Sequence, residues 1–559
     1  MCDLCPTNLS FQSKKGKFAP QESDNIMMKK LLLGDEAIAQ GAIDAGLSGV
    51  YAYPGTPSTE ITEYIQGYQK ATGADIYCRW CTNEKTAMET ALGMSFAGKR
   101  SLVCMKHVGM NVAAAPFVNS SITGVNGGLV VLVADDPSMH SSQDEQDSRY
   151  YGKFALIPIF EPSSQQEAYD MMEYAYNLSE SLKLPVMMRT VTRLAHSRAV
   201  VTLKPQREQN RLNPVENSRD WVLLPVNARR RYASLIEKQE EIMNLSLESP
   251  FNSYKSEAKE YEMGAIACGN AFNYLQECFP DGIPFPVLKL SQYPIPTNIV
   301  LTMAEQCKSL MVIEDGQPFV EEQIKGMLPT ECNIVGRLSG ALPRTGELNP
   351  DIVKAAFGIP VLPHADVAQN IVARPPALCQ GCGHRNVYEA INLVLKEYEG
   401  SKVFGDIGCY TLGALPPYQA LDSTVDMGAS ITMAKGAADA GIFPAVAIIG
   451  DSTFTHSGMT GLLDAVNANS PITVIISDNL TTGMTGGQDS AGTNKFEAIC
   501  KGIGVDPEHL KVVVPLPQNM EEITRILREE INYRGLSVII PRRECIQTLT
   551  RKAKAKNKQ

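Results

Sequence analysis

The 559-residue sequence predicts an α/β protein with two doubly wound domains and a smaller α/β domain between them. Three observations predict it. The chain is too long for one hydrophobic core, so several domains are expected. Short apolar runs alternate with helical patterns from residue 30 to about 200, and again from about 371 to 550. Between them, from Met263 to about Pro363, the same alternation returns on a smaller scale.

Residues 1–28 are polar and uneven and read as a flexible extension. The first domain spans 29–200. Residues 49–53 form a strand that breaks at Pro54-Gly55-Thr56-Pro57, and Ser58 is placed to cap a helix with Ile61, Tyr64 and Ile65 on its apolar face. Residues 84–97 read as a helix, and 101–105, 128–134 and 184–189 as strands. Periodicity is lost over 201–255, which carries charge-rich stretches and reads as a linker with one helix. The domain at 256–370 has strands at 265–268 and 309–314. Arg374-Pro375-Pro376 opens the last domain, 371–550, and a basic tail follows at 551–559.

Net charge is −10 and the tail is the one basic cluster, which argues against nucleic acid as a partner. No apolar run reaches membrane-spanning length and no export signal is visible, so neither a membrane nor secretion is expected. Fourteen cysteines in such a chain suggest reduced thiols or metal ligation, and a cytoplasmic setting.

The most informative spacing is Gly450-Asp451-Ser452, twenty-six further residues, then Asn479. A buried strand at 445–449 ends at Gly-Asp, a helix is expected at 458–469, and a second buried strand at 472–477 delivers Asp478-Asn479. In a βαβ unit both strand ends lie at one sheet edge, so Asp451 and Asn479 can meet over one hard cation. An Asp carboxylate, an Asn carbonyl, a main-chain carbonyl near Thr481 and a diphosphate suit Mg²⁺. The pattern resembles the thiamine diphosphate motif, usually GDG then N, with Ser452 in third place. The alternative is a Rossmann-like unit with a chance Asp and Asn.

Thiamine diphosphate needs an acid at N1′ of its pyrimidine, which promotes loss of the proton at thiazolium C2. NEKTAMETALGMSFAGKR resembles the pyrimidine-domain segment, with Glu84 on the catalytic glutamate; Glu89 is the rival on another helix face, and a plain capping role for Glu84 is the alternative.

Three CxxC pairs occur. Cys2/Cys5 lie in the extension. Cys78/Cys81 lie in a predicted strand whose residues three apart face opposite sides, which marks them as packing residues. Cys379-Gln-Gly-Cys382-Gly allows a tight turn that brings two sulfurs together. With Cys409 and Cys545 it could ligate a [4Fe–4S] cluster; Zn²⁺ or inert buried thiols are the alternatives.

YPGTPSTE, NEKTAMETALGMSFAG, KHVGMN, DDPSMHSSQDEQDSR, LCQGCGHR, GDIGCYTLGALPPY and GDSTFTHSG through SDNLTTGMTGGQ follow in one order. Together they resemble the alpha-subunit family of the indolepyruvate:ferredoxin oxidoreductases, within the 2-oxoacid:ferredoxin oxidoreductases, from residue 30 to about 548. The resemblance implies pyrimidine-type and pyrophosphate-type thiamine diphosphate domains flanking a transketolase-C-terminal-like domain. It implies oxidative decarboxylation of aryl 2-oxoacids with coenzyme A, electrons leaving to ferredoxin, a beta subunit as partner, and a dimer of chains or a heterotetramer. The four-cysteine cluster is carried over from pyruvate-type relatives. The family's usual C-terminal ferredoxin-like domain has two C-x₂-C-x₂-C-x₃-C-P runs, and none occurs in these 559 residues. Electrons would then leave directly from the proposed cluster or through a separate subunit.

By the same resemblance Gly450, Ser452, Thr481, Gly408 and Gly483 join Asp451 and Asn479 around the cofactor, and Thr56 lies near the reacting carbon. Gly55 stands where pyruvate-type relatives have a bulkier Ile, which suits an aromatic side chain. Lys106 and His107 follow a buried strand at the functional sheet edge, where a 2-oxoacid carboxylate needs a cation or donors. His140, Gln143 and Asp144 follow the next strand and are candidates for the same cleft; plain loop roles are the alternative. His384 and His456 are expected to hydrogen-bond the main chain. The rival activity is a non-oxidative thiamine diphosphate decarboxylase or lyase.

Overall fold

The computed structural model describes residues 28–556 except 217, 257–259, 329–331, 365–370 and 373–375. The extension with Cys2 and Cys5, the opening Arg374-Pro375 and the last three residues lie outside the described residues.

The first sheet has seven strands, in the order Gln292–Tyr293, Ile159–Phe160, Val186–Val191, Leu129–Asp135, Ser101–Lys106, Gly49–Ala52, Tyr77–Trp80. All its pairs are parallel except the Gln292–Tyr293 edge. Its strands are buried on both faces, which explains their unbroken apolar runs. Val103 and Met105 face helices Glu84–Phe96 and His107–Thr123 through Met88, Met110 and Phe117. Leu102 and Cys104 face helices Gly34–Asp44 and Gln165–Leu182 through Ile38, Met171 and Ala175. Each fully buried Val, Ile or Leu contributes about 1.5–3 kcal/mol relative to exposure. Cys78 packs in the second cluster and Cys81 against the first, on opposite faces.

The smaller domain is a five-stranded sheet ordered Asn333–Val335, Ser309–Ile313, Gly264–Cys268, Val287–Leu290, Ser253–Lys255. It is bound tightly to the first domain: Ile266, Cys268 and Leu288 share the core of Val103 and Met110. It also supplies the Gln292–Tyr293 edge strand of the first sheet. Where the sequence predicts a linker with one helix over 201–255, there are two, Pro225–Glu237 and Gln239–Leu247. Leu235 and Ile242 bury their side chains in the first domain's core. Their apolar positions are few among charges, so the periodic signal was weak.

The last domain carries six parallel strands, ordered Ser423–Thr424, Lys402–Gly405, Ala445–Gly450, Ile472–Ser477, Ser537–Pro541, Leu510–Val513. Ile448 and Ile475 pack towards helices Gly383–Leu395 and Met520–Asn532, and Ile449 and Val474 towards Met459–Asn467 and Phe496–Ile503. One expectation needs correction. The helix after Ala445–Gly450 begins at Asp451 itself and passes through a π turn, Phe454–Gly458, into Met459–Asn467. The tail is helical, Ile546–Lys556.

Candidate active site

The first and last domains of the same chain close over one cleft. Tyr53, Gly55, Thr56, Glu84, Lys106 and Gln143 line it from one side, and Gly408, Asp451, Ser452, Asn479, Thr481 and Gly483 from the other. Strand ends at each C-terminal sheet edge supply most of these residues, as expected for parallel sheets.

On the last domain, Asp451 is 2 % exposed. Its Oδ1 accepts the Ser452 amide at 2.7 Å and its Oδ2 the Thr481 amide at 3.1 Å. The same Thr481 amide also reaches Asn479 Oδ1 at 3.1 Å, so the two side-chain oxygens converge on one point. His384 orients the Asn479 amide. Its Nε2 faces Asn479 Nδ2 at 3.3 Å and its Nδ1 meets Ser477 Oγ at 2.7 Å. Burial pushes His384 down to about 4, so the ring is neutral and Nε2 can accept while Nδ1–H donates. The amide oxygen is thereby left facing the cleft. Burial and the neighbouring Asp478 push the Asp451 carboxyl up to about 7, a charge that asks for a cation. Gly408 and Gly450 make room for the Tyr410 ring, which an added Cβ would meet at 2.4 and 2.5 Å.

On the first domain, Glu84 opens its helix behind Asn83, whose side chain accepts the Thr86 amide as N-cap. Glu84 is 5 % exposed, and its Oε2 lies 2.8 Å from His456 Nε2 of the last domain. Asn83 Nδ2 donates to the His456 carbonyl at 2.9 Å, and the Tyr53 ring stands edge-on to the imidazole. An added Cβ at Gly109 would come within 2.6 Å of Glu84 Oε1. Glu89 faces away, exposed, paired with Lys85. The Tyr53 hydroxyl is buried and has no hydrogen-bond partner among the described residues, and it lines the cleft. An orphaned hydroxyl, a buried glutamate and convergent Asp and Asn oxygens fit a cofactor with a pyrimidine at one end and a diphosphate at the other.

Several expected residues stand elsewhere. Lys106 lines the cleft and donates to the Ser141 carbonyl at 3.2 Å, but His107 does not line it. As the first residue of its helix, His107 turns inward, 1 % exposed, to the Asp144 carbonyl at 3.1 Å. His140 is exposed and lies 3.4 Å from Glu347 of the smaller domain; Asp144 pairs with His107 rather than entering the cleft. Ser58 sits at the N-cap, yet its hydroxyl donates back to the Gly55 carbonyl and caps nothing. His384 and His456 bond side chains, where main-chain partners were expected. Sequence reasoning gave neither a site role. For His456 the available signal was its place five residues beyond Asp451, where the helix widens into a π turn, a feature frequent at functional sites.

A second cavity brings together Cys379, Cys382, Cys409 and Cys545. Gly381, at φ +77°, makes the turn that carries Cys379 and Cys382. The Cys545 amide donates to the Asn479 carbonyl at 3.0 Å, which anchors the C-terminal cysteine beside the cofactor cleft. Cys409, Asn479 and Gly483 line both cavities. Burial pushes the Cys409 thiol up to about 12, and raises Cys382. No three of the four sulfurs come within 4.8 Å of one another.

Two α/β domains clasping one cleft, a buried glutamate on one and an Asp…Asn pair on the other, define a thiamine diphosphate enzyme. Family models agree: residues 40–223 match the pyruvate flavodoxin/ferredoxin oxidoreductase thiamine diphosphate-binding domain, and 406–540 the C-terminal binding domain of thiamine pyrophosphate enzymes. The chain is similar to the indolepyruvate oxidoreductase subunit IorA of Archaeoglobus fulgidus, 39% identical over 92% of this chain and 86% of that one. The IorA of Methanothermobacter thermautotrophicus is 37% identical over 93% and 87%. A solved 2-oxoglutarate:ferredoxin oxidoreductase from Magnetococcus marinus aligns at 16% identity over 59% of this chain and 65% of that one, TM-score 0.48. The chain belongs to the indolepyruvate oxidoreductase alpha-subunit family, and is an oxidoreductase subunit with two thiamine diphosphate-binding domains. Among the described residues no helix is long and apolar enough to cross a membrane.

Proposed function

We propose that this chain, with a smaller beta subunit, oxidatively decarboxylates aryl 2-oxoacids to acyl-CoA and CO₂, passing electrons through a [4Fe–4S] cluster to ferredoxin. The observation that carries the reading is the common wall of the two cavities: Cys409, Asn479 and Gly483 belong to both. Electrons leaving the cofactor would meet an acceptor one residue away. The cysteine spacing supports a cluster over a single Zn²⁺, whose tetrahedral sulfurs stand about 3.8 Å apart at Zn–S of about 2.3 Å.

Bound thiamine diphosphate supplies the carbon nucleophile and the electron sink. The chain's residues do the rest. Glu84 holds a proton at pyrimidine N1′. Asp451, the Asn479 amide oxygen and the Thr481 carbonyl would hold Mg²⁺, with Ser452 beside them. Lys106 offers a cation to the substrate carboxylate, with Thr56 and Gln143 nearby. Gly55, where an added Cβ would meet the Lys106 stem at 3.2 Å, leaves more room for an aromatic side chain than a larger residue would.

The test is an anaerobic assay of ferredoxin or viologen reduction with a panel of 2-oxoacids, with and without the beta subunit and coenzyme A. Arylpyruvates giving acyl-CoA and reduced carrier are the expected result. Aldehyde with no reduced carrier would overturn it in favour of a non-oxidative decarboxylase.

A further inference from the structure

Asp35, Glu60 and His196 form the one group of three or more metal-ligating side chains whose ligand atoms lie within 4.8 Å of one another among the described residues. They are brought together by three chain segments. Asp35 is in the first turn of helix Gly34–Asp44, Glu60 in the first turn of helix Thr59–Thr72, and His196 ends helix Thr192–His196. Asp35 is fully buried, and neither of its carboxylate oxygens has a hydrogen-bond partner. Protonation alone does not satisfy it, because a carboxylic acid still needs an acceptor for its proton. Glu60 Oε2 likewise has no hydrogen bond: it forms a long ion pair with His196 Nε2, 3.7 Å away and beyond hydrogen-bond reach. That separation is near the roughly 3–3.5 Å between two donors sharing one metal at about 2.1 Å. The Thr59 and Thr62 hydroxyls, on the same turn as Glu60, are also buried and partnerless. Among the described residues no ion pair reaches Asp35, and the nearby Glu36 is engaged with the Leu33 amide at 2.8 Å. A fully buried carboxylate with no donor at either oxygen is costly unless a cation fills the gap.

We propose that Asp35, Glu60 and His196 bind one divalent transition-metal cation that staples the three helix ends together. Two carboxylates and one imidazole suit Mn²⁺, Fe²⁺ or Zn²⁺, while the imidazole disfavours Ca²⁺ and Mg²⁺. The part-exposed edge at His196 leaves room for water to complete the coordination. None of Asp35, Glu60 and His196 lines the cofactor cleft. The ion's effect is positional: Glu60 lies four residues beyond Thr56, and Tyr53 to Thr56 line the cleft. Tying Glu60 to Asp35 and His196 fixes the far end of that loop. The site shares no residue with Asp451, Asn479 and Thr481.

The test is Mn²⁺ titration of the metal-stripped full-length protein, followed by loss of the free-ion EPR signal. Mn²⁺ favours oxygen and nitrogen over thiolate, so the cysteine cavity does not compete. The parent should bind two equivalents in the presence of thiamine diphosphate, one at each site. Asp35→Asn and His196→Gln should each lose one equivalent or weaken it at least tenfold, with thiamine diphosphate binding retained. Asp451→Ala should lose the other. His196 is part-exposed, so His196→Gln keeps the comparison valid if Asp35→Asn folds poorly. Equal Mn²⁺ stoichiometry and affinity in the parent and His196→Gln would overturn the site.

Discussion

Glu84 is held by a contact that crosses the domain boundary. Its partner His456 lies 372 positions away and bonds it at 2.8 Å, while Asn83 fixes the same histidine's carbonyl. The carboxylate proposed to act at N1′ is therefore oriented by the opposite wall of the cleft. Glu84→Gln should keep thiamine diphosphate bound yet slow hydrogen–deuterium exchange at C2 by orders of magnitude, followed by NMR. His456→Gln should slow it less and shift its pH profile, the mark of a positioning residue; unchanged exchange in both variants would move the role elsewhere. Asp451 acts on binding instead. Asp451→Ala should abolish Mg²⁺-dependent cofactor affinity in calorimetric titration, because no other carboxylate lines that side of the cleft. Asp451, Asn479 and Glu84 were legible as residues because strand ends and short motifs mark them. His456 and His384 were not: their partners are side chains distant in sequence, and no local period encodes such a meeting.

At the scale of elements, strands in the sheet cores were readable from apolar runs, since burial on both faces removes alternation. The helix starting at Asp451 was misplaced to 458 because Gly450-Asp451-Ser452 reads as a turn, while the structure uses Asp451 Oδ1 to take the Ser452 amide within the first turn. The joint between the first and smaller domains was illegible for another reason. It is built from buried charges contributed by separate segments. Arg149 meets Asp147, Glu161 and Glu314, and Arg189 meets Asp135 and Glu161. Burial pushes Glu314 up from 4.5 to about 7, against the opposing pull of Arg149 and the Val320 and Glu321 amides. Between those values the folded chain keeps a proton that the unfolded chain has lost. This group's contribution to stability is therefore fully present below about pH 4.5 and is lost as pH rises through about 7. Glu314→Gln cannot titrate, so its stability relative to the parent should rise between pH 5.5 and 8.5, on the order of 2 kcal/mol, in denaturant melts. A pH-independent difference would assign the raised value no role at the joint.

For the whole molecule, the arrangement sets two cavities on either side of one wall. The cleft between the first and last domains is the proposed cofactor site, and the cavity within the last domain gathers the four cysteines. Gly483 allows this closeness, since a Cβ there would stand 3.0 Å from Cys409 Sγ. If Cys379, Cys382, Cys409 and Cys545 hold one [4Fe–4S] cluster, anaerobically purified protein should contain about four irons per chain. Cys382→Ala should remove most of that iron and leave cofactor binding intact, because Cys382 lines only the second cavity. Cys409 would be a poorer choice, since it borders both. Cys78→Ala and Cys81→Ala should leave iron unchanged, because those thiols pack on opposite faces of the first sheet. Iron analysis with visible absorption reads all three variants. Stoichiometric zinc and no iron in anaerobic parent protein would refute the cluster, and with it the electron exit through this wall.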